Sequence, residues 1–240
     1  MSLLITICAR GGSKGIPGKN IKKVMGRPLI DYSVKIAQAF AARYGGHVAL
    51  STDDEEIATV AMECGLESNY RRPAELGTDT AGKIDVINDI VLHEETKVGQ
   101  MFKYVLDLDV TSPLRTLDDL EKAYRLINEN TDALTLFSVN AAARNPYFNM
   151  VEQDESGYYR LSKKLPGSVL TRQSAPKVYD LNASFYFYRR AFFDTGKKSP
   201  ITERSLVYVM DHVCFDLDHP IDFDFLTYLL EHNKLEISLI

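Results

Sequence analysis

The stretch from residue 3 to residue 20 constrains the fold most strongly. A nearly unbroken apolar run, 3–9, leads directly into a segment that contains four glycines and the cations Arg10, Lys14 and Lys19. Such a run is typical of a strand buried on both faces of a parallel sheet. Glycines allow a sharp turn and a close approach of backbone N–H groups to a ligand. The pattern predicts a first strand followed by a polyphosphate-binding loop, with a basic surface loop as the alternative.

The spacing within this loop excludes two common phosphate-binding motifs. A P-loop requires G-x-x-x-x-G-K-[ST], but Gly18-Lys19 is followed by Asn20, and Ser13 occupies the position of the first glycine. The dinucleotide motif G-x-G-x-x-G fails because Ser13 stands two residues after Gly11. The loop is therefore predicted to bind phosphates in another way.

Composition narrows the class of protein. The net charge of −5 over 240 residues argues against a general binder of nucleic acids or membrane surfaces. The three cysteines, Cys8, Cys64 and Cys214, are scattered, and the five histidines show no metal-binding spacing. No signal peptide is apparent, and no run approaches the roughly 18 apolar residues of a membrane span. A cytoplasmic location is predicted.

Strands alternate with amphipathic helices along most of the chain, which predicts an α/β domain with a mostly parallel sheet. Thr52 with Glu55, and Thr116 with Asp119, have the spacing of helix-capping boxes. Ligands of such sheets bind beyond the carboxyl ends of the strands, where the loops at 10, 72 and 111 are expected to converge. Strands are predicted at 3–9, 47–51, 104–109, 133–139, 183–189, 206–210 and 213–217, and helices at 28–42, 55–64, 81–94, 116–128 and 222–231, the last with Phe225, Tyr228 and Leu229 packing inward.

The alternation stops between Asn140 and Asp180. A connection of roughly 40 residues is too long for an ordinary loop, so an insertion at about 140–180 is predicted. Its aromatic and apolar residues indicate a surface that packs on a second subunit, and a locally packed β-meander is the alternative. These residues are Tyr147, Phe148, Tyr158, Tyr159 and Leu161.

Two pairs of carboxylates share the spacing Asp-x-Asp. Asp216 and Asp218 are predicted at the end of a strand, where alternate side chains point the same way and could reach one hard cation. Mg²⁺ is favoured where phosphates supply further ligands. Capping or solvation is the alternative for aspartates near a turn. Asp107 and Asp109 form the rival metal pair.

The motifs together resemble a known family, the acylneuraminate cytidylyltransferases or CMP-sialic acid synthetases. Residues 9–20, Ala-Arg-Gly-Gly-Ser-Lys-Gly-Ile-Pro-Gly-Lys-Asn, are similar to the family's signature. The resemblance covers essentially the whole chain. Further matches in the same order are Ser51-Thr52-Asp53, 72–76 with 79–81, Thr111-Ser112-Pro113-Leu114-Arg115, Asn182 before a Tyr-rich strand, and Asp216-x-Asp218.

This resemblance implies a fold and a reaction. The fold is a Rossmann-like nucleotidyltransferase domain spanning 1–240, with the insertion forming a homodimer. The reaction joins CTP and a nine-carbon 2-keto sugar acid into a CMP-sugar and pyrophosphate, with Mg²⁺ as cofactor. Such a transfer needs positioning and charge neutralisation, and it needs no covalent intermediate.

The resemblance also implies roles for individual residues. Arg10, Lys14, Lys19, Asp216 and Asp218 form the implied catalytic set, in which the two aspartates hold the metal. Nucleotide contacts are implied for Arg10, Gly11, Gly12, Ser13, Lys14, Lys19, Asn20 and Arg72, the last two at the cytidine. Sugar contacts are implied for Asp109, Thr111, Ser112, Arg115, Asn182 and Arg172, the last reaching the sugar carboxylate of the partner subunit.

One departure concerns the acceptor sugar. Members that activate sialic acid commonly have Gln-Pro where this chain has Asp109-Val110. An aspartate there should prefer a different hydroxyl pattern or an amine-bearing group. The hypothesis is an acceptor such as legionaminic or pseudaminic acid, or an amino variant of Kdo. Asp109 acting as a base is a further possibility. The rival functions are a CMP-Kdo-type or other sugar nucleotidyltransferase, and a non-catalytic nucleotide-binding protein.

Overall fold

The computed structural model describes residues 3–13, 15–167 and 171–240, with the backbone alone at residue 172. Five helices lie in this part of the chain: α1 Leu29–Tyr44, α2 Glu55–Glu63, α3 Lys83–Val98, α4 Leu117–Glu129 and α5 Pro220–Glu231. The strands are β1 Leu3–Cys8, β2 Lys23–Val24, β3 Arg27–Pro28, β4 His47–Ser51, β5 Tyr104–Leu108, β6 Thr135–Ala141, β7 Val151–Gln153, β8 Tyr159–Leu161, β9 Tyr179–Arg189 and β10 Ser205–Val209.

Six strands form the central sheet, in the order β10-β6-β9-β5-β1-β4. β1 pairs in parallel with β4 and β5, and β6 pairs in parallel with β10. β9 runs antiparallel to both of its neighbours, β5 and β6. The expected α/β fold with a mostly parallel sheet is confirmed. Because β4, β1 and β5 are adjacent and parallel, their carboxyl ends meet at one edge of the sheet.

The core lies on both faces of the sheet, as the period of a strand requires. Leu3, Ile5 and Ile7 of β1 face a cluster that includes residues of α1, α2, α4 and α5. Leu4 faces the other side, where α3 packs through Ile84, Ile87, Ile90 and Val91. Burial on both faces explains why β1 reads as an apolar run with little polar alternation.

Three local predictions are wrong. Residues 213–217 lie outside any strand, so Asp216 and Asp218 are in a loop. Asp54, rather than Thr52, caps α2, since its carboxylate accepts hydrogen bonds from the N–H groups of residues 56 and 57. Phe225 and Tyr228 are about half exposed; Leu229 is buried as predicted, and it shares the inward face of α5 with Phe223 and Leu226.

The insertion leaves the sheet between β6 and β9. The end of β6 continues to pair with the start of β9, with Ala141 opposite Tyr179. β7 and β8 form a hairpin beyond this ladder. Tyr158 and Tyr159 are 72% and 66% exposed, and Leu161 is also exposed, whereas Tyr147 and Phe148 are half-buried. The exposed apolar surface predicted for the insertion is present on the hairpin.

Among the described residues, none of the helices combines the length and the hydropathy that crossing a bilayer requires.

Candidate active site

The glycine-rich loop after β1 is held against two other segments. The N–H of Gly11 donates to Oδ1 of Asp53, in the loop after β4, over 3.2 Å. Asn20 Nδ2 donates to the carbonyl of Arg10 over 2.9 Å and so closes the loop. A Cβ at Gly15 would lie 2.5 Å from the carbonyl oxygen of Asp218. The loop can lie this close to the 216–218 segment because residue 15 has no side chain.

The cations of this region are oriented by partners. Arg10 forms an ion pair with Asp79. Lys19 Nζ lies 3.2 Å from Oδ1 of Asp218. The buried Arg72 donates through Nε to the hydroxyl of Ser51 over 3.0 Å and through Nη2 to the carbonyl of the same residue over 2.7 Å. Lys14 lies outside the described residues.

These residues surround one cavity of about 310 Å³ at the carboxyl edge of β1, β4 and β5. The structure therefore brings together the loops at 10, 72 and 111, as expected from the sheet. Seven predicted ligand contacts line the cavity: Arg10, Ser13, Lys19, Asn20, Arg72, Asp109 and Thr111. Gly11 and Gly12 belong to the loop backbone beside it.

Lys83, the first residue of α3, lies between the rival pair of aspartates. Its Nζ is 3.0 Å from Oδ2 of Asp107 and 2.8 Å from Oδ2 of Asp109. Burial alone would lower the pKa of Lys83, but the two carboxylates raise it well above its ordinary value. Because an ammonium group already occupies the position between them, Asp107 and Asp109 are poorly suited to hold a metal ion.

The carboxylate of Asp109 is ionised and accepts hydrogen bonds from Thr111 and Lys83. Its Oδ1 accepts hydrogen bonds from the N–H and the hydroxyl of Thr111, at 2.9 and 2.8 Å. Burial would raise the pKa of Asp109, but the charge and hydrogen bond of Lys83, with the bonds from Thr111, lower it to about 2. A carboxylate with so low a pKa is a weak base, so this geometry does not support Asp109 as the general base.

In the 216–218 segment, by contrast, the carboxylate of Asp216 has a raised pKa. The N–H of Leu217 donates to the carbonyl of Thr111 over 2.9 Å, which holds the segment beside the loop after β5. Among the residues that the structure describes, Oδ1 of Asp216 is buried without a hydrogen-bond partner. Burial, together with the charges of Asp109 and Asp218, raises the pKa of Asp216 despite the opposing effects of Thr111 and Lys19.

This arrangement fits a divalent cation. A buried carboxylate oxygen without a partner is costly unless a cation or donor reaches it, and hard cations prefer oxygen ligands. Among the described residues no group of three His, Cys, Asp or Glu side chains has metal-site geometry. Two carboxylates plus substrate phosphates are a usual set of ligands for Mg²⁺.

Three of the predicted sugar contacts lie away from the cavity. Arg115 is 2% exposed, and its guanidinium donates to the carbonyls of Asp109, Ser112 and Ser184 at 2.8–2.9 Å. Burial lowers the pKa of Arg115 to about 10. Ser112 is fully buried. Direct contact of Arg115 and Ser112 with a sugar is therefore not supported; Arg115 instead fixes the course of the loop that carries Asp109.

Asn182 is the third of these residues. Its Nδ2 donates to Asn140 over 2.7 Å, and its Oδ1 accepts from the hydroxyl of Ser138 over 2.6 Å and from the N–H of Ser184 over 3.2 Å. These bonds bridge the irregularity in the β6–β9 pairing, where Ala183 has a positive φ of 57°. Asn182 therefore has a structural role here. The side chain of Arg172 lies outside the described residues.

Sequence reasoning missed Lys83 and Asp79. Lys83 follows Gly82 at the start of a helix, and its partners lie 24 and 26 positions further along the chain. No local pattern connects residues so far apart, because only the register of the fold brings α3 over the end of β5. The one usable signal was the rival pair itself, since two buried carboxylates require a cation nearby.

Comparison with known proteins agrees with this geometry. The family model described as cytidylyltransferase matches residues 4–220. The chain is 39% identical to the CMP-N,N'-diacetyllegionaminic acid synthase of Campylobacter jejuni over 97% of each chain. It is 38% identical to the post-translational flagellin modification protein B of Campylobacter coli, over 98% of this chain and 97% of that protein.

A solved structure shows the same fold. CMP:2-keto-3-deoxy-manno-octonic acid synthetase, complexed with CTP, superposes with a TM-score of 0.68 over 97% of this chain and all of that chain, at 16% identity. The nucleotidyltransferase fold expected from the motifs is therefore confirmed. With a family model that spans most of its length and relatives that match nearly end to end, the chain belongs to the cytidylyltransferase family.

Proposed function

We propose that this protein transfers the cytidylyl group of CTP to a nonulosonic acid, a sialic-acid-like 2-keto sugar acid, and releases pyrophosphate. The observation that carries the proposal is a cavity lined by cations, with the carboxylates of the 216–218 segment held against two of its lining residues, Thr111 and Lys19. Arg10, Lys19 and Arg72 line the cavity, and Asp216, beside the loop of Thr111, has a buried oxygen with no hydrogen-bond partner in the described part of the chain. A polyphosphate with its divalent cation supplies what both groups require.

The reaction is a single displacement at phosphorus. The anomeric hydroxyl oxygen of the sugar acid attacks the α-phosphorus of CTP, and the bond from that phosphorus to pyrophosphate breaks as the new one forms. The hydroxyl proton leaves to solvent. Arg10 and Lys19 hold the phosphate oxygens in line, while Asn20 and Arg72 orient the nucleoside at the other side of the loop. Positioning and charge neutralisation supply most of the rate enhancement in such transfers.

Asp216 and Asp218 are the residues that would hold Mg²⁺. When bound there, the ion offsets the negative charge that develops on the leaving pyrophosphate. Lys19 is placed to act in the same region, because its ammonium already contacts Asp218. Gly15 allows this contact by letting the loop approach the backbone of the segment.

The acceptor is proposed to be a diacetamido sugar acid of the legionaminic type. Support comes from the relative named CMP-N,N'-diacetyllegionaminic acid synthase and from an ionised aspartate at the cavity, where sialic-acid-activating members commonly have glutamine. Pseudaminic acid, sialic acid and Kdo derivatives are the alternatives. A homodimer formed through the β7–β8 hairpin, and a cytoplasmic location in keeping with three free cysteines, are part of the same proposal.

The test is pyrophosphate release from CTP and Mg²⁺ with a panel of nonulosonic acids and Kdo, and with ATP, GTP and UTP as controls. Turnover with CTP and N,N'-diacetyllegionaminic acid is expected. CTP binding without turnover across the whole panel would contradict the proposal and favour a non-catalytic nucleotide-binding protein. Sizing chromatography tests the dimer separately, and a single monomeric species would refute that part.

A further inference from the structure

Lys83 lies at the cavity wall, and its ammonium group is contacted from three sides. It donates to Asp109 at 2.8 Å, forms an ion pair with Asp107 at 3.0 Å, and lies 4.8 Å from the ring centroid of Tyr186. Asp107 is fully buried, and its other oxygen accepts from the hydroxyl of Thr6 over 2.9 Å. These contacts give the ammonium one position, although the lysine side chain is 38% exposed.

Asp109 connects this lysine to the cavity. Oδ1 already accepts two hydrogen bonds from Thr111, so its two lone pairs are used. Oδ2 accepts one bond from Lys83, which leaves one acceptor position. Asp109 lines the cavity and its side chain is 22% exposed, so a ligand in the cavity can reach this side chain.

The identity of the ligand group follows from the charge. An ionised carboxylate has acceptors and no donor, so it binds an N–H or O–H group and rejects another acceptor. A protonated Asp109 would instead present a donor and lose this selectivity. Because Lys83 keeps the carboxylate ionised and fixes Oδ2, the selectivity depends on the lysine as much as on the aspartate.

We propose that Lys83 is a specificity-determining positioning residue, which acts through Asp109 to select a sugar acid that presents a hydrogen-bond donor, in the proposed diacetamido acid an amide N–H, to the remaining acceptor on Oδ2. This inference rests on the proposed function and adds to it the residue that sets the acceptor class. Sites built to hydrogen-bond one substrate group discriminate strongly against analogues that lack it, since a buried polar atom is then left unpaired.

The experiment compares Lys83→Met, Lys83→Arg, Asp109→Asn and the double variant Lys83→Met/Asp109→Asn with the unmodified protein. Pyrophosphate release is measured while CTP and the acceptor are varied separately. The acceptors are N,N'-diacetyllegionaminic acid, with amide N–H groups, and Kdo, which has none. Lys122→Met is the matched control, because Lys122 also forms a lysine–aspartate ion pair, on α4 and away from the cavity.

For Lys83→Met we expect the KM for the diacetamido acid to rise about tenfold while the KM for CTP changes about twofold or less. The preference for that acid over Kdo, as a ratio of kcat/KM, falls by a similar factor. Lys83→Arg restores part of the preference, because it retains the positive charge. The double variant loses no more than either single variant, since both act on one contact.

Equal rises in both KM values, or additive losses in the double variant, would overturn the inference and leave Lys83 a structural residue. If Lys83→Met does not fold, an unchanged acceptor preference in Asp109→Asn would overturn it equally. Failure of the proposed function has a different signature, because the unmodified protein would then release no pyrophosphate with any acceptor.

Discussion

The two Asp-x-Asp pairs have the same spacing in the chain and opposite surroundings in the fold. Asp107 and Asp109 lie at the end of β5, and the ammonium of Lys83 contacts both. Asp216 and Asp218 lie in a loop, where Lys19 contacts Asp218 but Oδ1 of Asp216 is buried without a hydrogen-bond partner among the described residues. The pKa of Asp109 is lowered to about 2, whereas the pKa of Asp216 is raised.

This difference shows that the position of the nearest cation, rather than the spacing of the carboxylates, identifies the metal pair. The charges of Asp107 and Asp109 are already neutralised in part by Lys83, so a further cation would stabilise them little. A pair with an unpaired buried oxygen is balanced only when a cation arrives. Asp107 and Asp109 are therefore suited to selecting a ligand, and Asp216 and Asp218 to holding a metal ion.

The largest expected effect comes from Asp216→Asn. Loss of one anionic ligand should slow pyrophosphate release about a thousandfold, or roughly 4 kcal/mol of transition-state stabilisation. In the absence of metal, the free energy of unfolding should stay the same or increase, because an uncompensated buried charge has been removed. Steady-state kinetics and urea unfolding measure the two quantities on the same samples.

The control for this variant is Asp224→Asn, which changes an exposed carboxylate on α5. It should retain full turnover. If Asp216→Asn also retained turnover, or if it lowered the free energy of unfolding as a paired buried carboxylate would, the contrast between the two pairs would be broken.

The fold was largely predictable because its signals are local. The strand at 3–9, the capping box of Thr116 with Asp119 and the alternation of elements depend on neighbouring residues, and the structure confirms them. The 213–217 segment was mistaken for a strand because its apolar residues resemble one. In the fold this segment is held by single contacts, such as Leu217 to Thr111, rather than by a ladder.

The site was predictable only in part, for a physical reason. Arg10, Lys19 and Arg72 carry their chemistry in motifs, and all three line the cavity. The role of Lys83 depends on its contacts with Asp107 and Asp109, which are more than 20 positions further along the chain, so no local motif could predict it. Arg115 shows the converse, since a conspicuous motif residue is buried and hydrogen-bonded to carbonyl groups of the protein itself.

Asp107→Asn tests how much the ion pair with Lys83 contributes to the stability of the protein. The change breaks the ion pair with Lys83 within a buried site, and it should lower the free energy of unfolding by about 3 kcal/mol. Urea denaturation measures the loss, with Asp224→Asn expected to stay within about 0.5 kcal/mol of the unmodified protein. Equal stability of the two variants would show that the ion pair between Asp107 and Lys83 is not needed for folding.

The smallest expected effect concerns the hydrogen bond that holds the start of the loop containing Asp216 and Asp218. His212 Nε2 lies 2.9 Å from Oδ2 of Asp119 on α4, just before that loop. This hydrogen bond raises the pKa of His212 above its ordinary 6.5, although burial opposes the shift. Burial would raise the pKa of Asp119, but the bonds from His212 and Thr116 lower it below 3.8. The two pKa shifts widen the pH range in which His212 is protonated and Asp119 is ionised at the same time.

His212→Gln tests this anchor. A raised histidine pKa adds stability that is fully present below about pH 6.5 and is lost as the pH rises through the folded value. The aspartate's contribution is present above about pH 3.8 and is lost only as the pH falls through its lowered value. The variant should therefore lose about 1–2 kcal/mol of unfolding free energy near pH 5.5 and less near pH 9. Urea unfolding at both pH values measures the gap, with His93→Gln as the control histidine. A gap that is equal at the two pH values would mean that the loop is held without the charge of His212, and that Asp216 and Asp218 do not depend on this ion pair for their position.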